Sequence, residues 1–381
     1  MAKRTVLFLG AGASKPLGFP ITTEILPAIW SGLQNGAWRK WSGMLQPEDA
    51  RDLEFLIRTL FPGITRKTSL WSGGSIVDVI SLLDQLVLEG RTPHPNMSEV
   101  DLRRVRIFLN MGINGVLRGQ KSPALRSGLV SWIIGQATQS GPARFTLIST
   151  NYDTAIDLRL FRELERSGMG RGAVESTVDM GCSWRSAFDG RVRVRPKDAR
   201  LAVLKLHGSL NWLRCETCGY VVMNVRERIV SLDFWRLRNE YNECWCGGRL
   251  RSVLITPSLV RDVRDTSLLS IWHAALEDLR RADEWVMVGY SLPSEDVAIR
   301  SMLLRAFHSR AIPSKPRIRV VQKWDRGGTS ADAERNRYRL FFSGRHLRSR
   351  DIHDDGVAPF VQRLRPLDAQ VLRQRVRARL A

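Results

Sequence analysis

Short runs of apolar residues bounded by turn formers recur at positions 6–9, 145–148, 203–206, 253–255, 285–288 and 318–321. Each run is continuous rather than alternating, as in strands covered on both faces. Together they predict an α/β fold, a Rossmann-like, mostly parallel sheet flanked by helices. Between the first two runs the period changes. Ile76, Val79, Ile80, Leu83, Leu86 and Val87 recur at helical spacing, and Leu102, Val105, Leu109 and Val116 continue the pattern. This predicts a helical insertion whose loops are the Gly/Ser/Pro-bearing stretches 62–74 and 118–128. Residues 168–200, rich in Gly, Arg and Ser with little period, read as a long surface excursion. At the end, Leu367, Val371, Leu372, Val376 and Leu380 alternate with Arg373, Arg375, Arg377 and Arg379, predicting an amphipathic terminal helix.

The chain has 381 residues, 43% apolar and 25% charged, the balance of a globular protein able to bury a full core. No stretch reaches the roughly 18 apolar residues of a membrane-spanning helix, so no membrane association is expected. Lys3 and Arg4 precede an apolar run as in a secretory signal, but that run ends at Leu9, short of the roughly 7–15 residues such signals use. A cytoplasmic protein is expected. The formal charge is +21, and residues 311–381 hold 17 Lys/Arg against 7 Asp/Glu, a net +10. Such a tail suits nucleic acid or an acidic partner, or is simply a solvated arginine face.

Three of the strands run into polar turns. After the first come Gly10-Ala11-Gly12-Ala13-Ser14, where glycines let main-chain N–H groups approach a phosphate beside a helix start. A dehydrogenase fingerprint would need a third glycine at Lys15, so ordinary hydride transfer is disfavoured. After the second strand come Ser149-Thr150-Asn151-Tyr152-Asp153, and after the third Leu206-His207-Gly208-Ser209. Polar residues at the carboxyl ends of parallel strands face the ligand crevice of such sheets, and histidine is the side chain best suited to proton transfer near neutral pH. Asn151 or Asp153 could equally cap a helix. A fourth turn, Gly289-Tyr290-Ser291-Leu292-Pro293, follows the run 285–288.

Four of the five cysteines pair as Cys215/Cys218 and Cys244/Cys246, with 25 residues between the pairs. Two close thiol pairs suit tetrahedral zinc in a closed, structural site better than a disulfide framework. Cys182 is left over and reads as a small buried hydrophobe.

In order, GAGAS, TNYD, LHGS, CxxC…CxC and GYSLP resemble the sirtuin-like family over residues 5 to about 322. The resemblance implies a Rossmann NAD-binding domain at 1–30 and 141–322, a helical insertion at 31–140, a zinc-ribbon module at 207–252 and a basic helical extension at 323–381. By motif, Gly10, Ala11, Gly12 and Ser14 would line the NAD phosphates. Asn151 would place the nicotinamide ribose or the attacking water, Asp153 would order the pocket, and His207 would be the catalytic histidine. Gly289 and Ser291 would contact the adenosine half, with Gln322 near the adenine, and the four cysteines would hold zinc. The sequence departs from classical deacylases after the glycine turn. Where those continue Gly-Ile-Pro-Asp-Phe-Arg, this chain has Gly18-Phe19-Pro20 and then Ile21-Thr22-Thr23-Glu24. That departure resembles the bacterial antiphage-defence branch, which implies an NAD hydrolase, an oligomer held inactive until infection, and a partner such as a HerA-type ATPase or an Argonaute-like protein. An NAD-dependent protein deacylase and a nucleic-acid-binding regulator with NAD as ligand are the alternatives.

Overall fold

A computed structural model describes residues 3–41, 46–64, 75–117, 123–139, 144–226, 243–254, 266–310, 315–323, 329–343, 346–364 and 368–380. The strands are β1 (Thr5–Leu9), β2 (Phe145–Ser149), β3 (Trp184–Ser186), β4 (Val192–Arg193), β5 (Leu201–Lys205), β6 (Gly208–Cys215), β7 (Val221–Met223), β8 (Leu250–Leu254), β9 (Glu284–Val288), β10 (Arg317–Val321) and β11 (Ile352–His353). The α-helices are α1 (Ala11–Ser14), α2 (Thr22–Gln34), α3 (Pro47–Leu60), α4 (Ile76–Glu89), α5 (Glu99–Val116), α6 (Pro123–Ala137), α7 (Asp157–Arg166), α8 (Arg171–Thr177), α9 (Thr266–Arg281), α10 (Val297–His308), α11 (Thr329–Phe342), α12 (Val357–Arg363) and α13 (Ala369–Arg379).

The chain divides into two compact units. One holds residues 1–17, 121–254 and 264–381, the other 18–120 with 255–263. The first is built on a six-stranded sheet of order β11-β10-β9-β1-β2-β5, parallel throughout. The chain starts at the centre, fills one side with β2 and β5, then returns to fill the other with β9, β10 and β11. That is the strand order of the doubly wound dinucleotide-binding fold, with its topological switch between β1 and β9. The continuous apolar runs have their cause here, because every residue of β1, β2, β5 and β9 is buried.

Successive side chains of a strand point to opposite faces, and two neighbours in β2 show what covers each. Phe145 meets Trp132 of α6 edge-on at 5.6 Å, while the Thr146 hydroxyl donates to Asp278 of α9 at 2.9 Å. Trp285 of β9, in register with Val6 and hence with Thr146, packs on Phe307 of α10 and Phe342 of α11. Helix α6 therefore covers one face and α9 to α11 the other.

A second sheet, of order β4-β3-β7-β6-β8, takes two strands from before β5 and three from after it. Residues 168–200, expected as an irregular excursion, instead form α8, β3 and β4, and both strands join this sheet. Residues 253–254, expected in the parallel sheet, belong to β8, which runs antiparallel to β6; Ile255 lies outside the described residues. The expected loop at 118–128 is helical from Pro123, since α6 packs on β2 and α7.

The second unit contains α2 to α5. Ser75 and Ser98 cap α4 and α5: each hydroxyl accepts from the backbone N–H of the aspartate three residues on, and each serine N–H donates to that aspartate's carboxylate. Trp41 fills a slot lined by Gly32, Gly112 and Gly115, where a β-carbon at Gly32 or Gly115 would come within 2.3 Å of the indole.

Among the described residues no helix is long and apolar enough to cross a membrane.

Candidate active site

Five neighbouring strands of the main sheet end level with one another. Gly289 N–H donates to Val321 O (2.8 Å), Gly10 N–H to Val288 O (3.0 Å), Thr150 N–H to Leu9 O (3.0 Å) and Leu206 N–H to Ser149 O (2.9 Å). The ladder thus runs one residue past each strand and then breaks into turns. Along this edge lie, in order, Gln322 after β10, Gly289 and Ser291 after β9, Gly10 to Ser14 after β1, Asn151 and Asp153 after β2, and His207 after β5. Four strand spacings separate the two ends, about 19 Å. The sequence-derived candidates for this crevice all come from it, and a long two-ended ligand is the shape that would follow it.

The glycines differ in use from the sequence reading. Gly12 N–H donates to Gly289 O at 2.8 Å and Gly10 N–H to Val288 O, so both amides are committed to the neighbouring turn rather than turned toward a ligand. A β-carbon on Gly289 (φ +62) would lie 2.0 Å from Ala13 N, and one on Gly10 2.5 Å from Tyr290 Cα. The glycines let the β1 and β9 turns touch at the switch point. Ala11 and Gly12 remain half-buried beside it.

Asn151, Ser14 and Asp153 form a buried chain with one direction. Asn151 Nδ2 donates to Gly10 O (2.9 Å) and to Ser14 Oγ (3.0 Å), and Ser14 Oγ donates to Asp153 Oδ2 (2.7 Å). Asp153 Oδ1 also takes the Ala155 amide at 3.0 Å. Since a carboxylate only accepts, Asp153 orients the Ser14 hydroxyl, and that hydroxyl orients the amide of Asn151. Both amide protons of Asn151 are spent, so Oδ1 is its remaining functional atom, an acceptor.

His207 is 5% exposed, between the rings of Tyr152 (6.0 Å) and Trp272 (6.5 Å), and the indole of Trp272 donates to Leu206 O at 2.9 Å. His207 Nδ1 lies 3.1 Å from Thr150 O. A carbonyl can only accept, so Nδ1 carries a proton, and the tautomer that could act as a base is the one with its lone pair on Nε2. Beneath these groups Lys205, 2% exposed, donates to Asp153 O and faces Asp157 at 3.5 Å. Burial pushes the Asp157 carboxyl up, against the pull of the Lys205 ammonium. The sequence reading missed Lys205 and Trp272. A lone cation ending the apolar run Leu201–Lys205 was the available signal for the first, and Trp272 had none.

The four cysteines converge in the second sheet, their sulfurs all within 4.8 Å of one another, with Cys215 and Cys246 at 3.4 Å and Cys218 and Cys244 at 3.8 Å. A tetrahedral zinc with bonds of about 2.3 Å sets its sulfurs about 3.8 Å apart, so the donor set fits that ion in number, softness and size. Gly248 is required there, since a β-carbon would sit 2.7 Å from Cys215 Sγ. Burial pushes the Cys244 thiol up to about 12, whereas the Gly248 amide draws Cys246 down to about 7. Four sulfurs close the coordination shell and leave no place for a reacting water, which makes the centre structural.

Fold and site together define a doubly wound α/β protein with a row of polar residues along the strand ends at its switch point and a four-cysteine module. No family model matches the chain, and no curated protein does. Solved structures similar to it include a Sir2 complex with p53 peptide and NAD+ (13% identity, 94% of this chain and 91% of that one, TM-score 0.40). Two others are a structure on sirtuin substrate affinity (14%, 95% and 92%, TM-score 0.40) and one on the mechanism and regulation of Sir2 enzymes (15%, 99% and 93%, TM-score 0.35).

Proposed function

We propose that the chain is a sirtuin-like NAD glycohydrolase that splits NAD into nicotinamide and ADP-ribose. The observation that carries this reading is the meeting of Asn151 and His207 at the ends of adjacent strands, with the histidine bonded to the carbonyl just before the asparagine. In this reading NAD lies along the strand ends, its adenosine half toward Gly289, Ser291 and Gln322, its pyrophosphate beside Ala11, Gly12 and Ser14, and its nicotinamide ribose between Asn151 and His207. The C1′–N bond breaks, nicotinamide leaves with the bonding pair, and positive charge develops on the ribose. Asn151 Oδ1 accepts a hydrogen of one water, turning its lone pair toward C1′. As the new C–O bond forms, that water loses a proton, and His207 Nε2 relays it through the ribose hydroxyls. Asp153 acts through Ser14 by fixing the face that Asn151 presents.

Hydrolysis is favoured over deacylation because Ile21-Thr22-Thr23-Glu24 stand where the resemblance would place Asp-Phe-Arg. The same resemblance supports a role as an antiphage effector that depletes NAD, in the cytoplasm, as an oligomer whose restraint a defence partner relieves on infection, leaving a basal rate of cleavage in the isolated protein. The four cysteines would hold zinc as a structural centre. Purified protein incubated with NAD alone tests the reading: it releases nicotinamide and ADP-ribose in equal amounts, and Asn151→Ala or His207→Ala abolishes release.

A further inference from the structure

The chain beyond β10, which the sequence sets apart as a basic extension, reaches back to the crevice through one helix. Glu334, Arg337 and Tyr338 of α11 are spaced i, i+3 and i+4 and so share a face. The Arg337 guanidinium donates to Ser291 O at 3.1 Å and Leu292 O at 3.4 Å, and the Tyr338 hydroxyl donates to Tyr290 O. Gln322 Nε2 donates to Glu334 Oε2 at 3.3 Å. One helix face therefore holds three successive carbonyls of the turn after β9 and the side chain of Gln322, just after β10. The turn needs such support, because Leu292, fully buried, has φ +53, a left-handed conformation that non-glycine residues keep only when their surroundings impose it. Tyr338 is itself fully buried, and burial pushes its hydroxyl well above the usual range, so it remains a donor.

We infer that Arg337 and Tyr338 are positioning residues that set the turn 289–293, so that Gly289 and Ser291 meet the adenosine end of the nucleotide. The inference rests on the NAD reading above. Neither residue touches the reacting ribose, so their removal weakens nucleotide binding and spares the chemical step.

Steady-state NAD cleavage and calorimetric ADP-ribose binding by the full chain test this in Arg337→Ala, Arg337→Lys and Tyr338→Phe. Arg337→Ala raises KM, and weakens ADP-ribose binding, about tenfold, with kcat changed less than about threefold. Added guanidinium ion restores part of the loss, and Arg337→Lys falls between wild type and Ala. Tyr338→Phe, which keeps the ring and removes one donor, also raises KM. Wild-type KM in all three variants overturns the inference. So does a joint loss of kcat and folded protein that guanidinium does not relieve. Wild-type protein that neither binds ADP-ribose nor cleaves NAD overturns the NAD reading as well, whereas an active wild type with unaffected variants overturns this inference alone.

Discussion

Ser14 shows how a residue away from the reacting bond can govern one beside it. Its hydroxyl accepts from Asn151 and donates to Asp153, so Ser14→Ala leaves two buried polar groups without their link. The expected result is a fall in kcat for NAD cleavage of about tenfold or more, with the protein still folded. An unchanged kcat would place Asn151 outside the chemistry. Gly289 is demanding for a different reason, since positive φ and a 2.0 Å approach to Ala13 N both exclude a side chain. Gly289→Ala should cost more than about 1 kcal/mol in thermal or denaturant unfolding. At this scale the sequence was legible where a residue type is tied to one task, as with His207 at a strand end or cysteines in close pairs. It was not legible for Arg337 or Tyr338, because nothing local to Thr329–Phe342 records that three carbonyls some 45 residues earlier need donors.

Among the elements, buried strands were the most legible, because burial on both faces forces the continuous apolar runs of β1, β2, β5 and β9. Strands β3, β4 and β11 were not, being two or three residues long and specified by their partners rather than by their own composition. The same dependence separates β8 from the main sheet, since an apolar run does not say which sheet it will join. The second sheet also ties its stability to the cysteines. Cys215 ends β6, Cys244 N–H donates to Gly248 O, and a small apolar cluster of Leu213, Cys215, Val222, Cys244 and Leu250 surrounds the sulfurs. If an ion holds that cluster together, a strong zinc chelator lowers the melting temperature and releases about one equivalent of zinc per chain. Cys215→Ser protein then purifies with less than half that zinc. Full zinc content in the variant would contradict the four-sulfur centre.

On the scale of the whole molecule, the sheet order β11-β10-β9-β1-β2-β5 does what no single motif can. It brings turns from residues 10, 151, 207, 289 and 322 to one edge, and so gathers five weak local signals in one place. That convergence was legible only through the ordered set of motifs, since the long-range pairing of β1 with β2 and β9 leaves no trace within any one segment. The net charge of +21 is not concentrated on this edge, whose named side chains are amides, hydroxyls and a histidine apart from Asp153 and Lys205. In the proposed reaction this edge hydrolyses NAD unaided by a second substrate. Chromatographic quantification of nicotinamide and ADP-ribose after incubating the purified protein with NAD, with and without an acyl-lysine peptide, distinguishes hydrolysis from deacylation. Equal release of both products is expected without peptide, with no effect of added peptide and no release by Asn151→Ala. Turnover only in the presence of the acyl-lysine peptide, or no release under any condition, would contradict the proposed reaction.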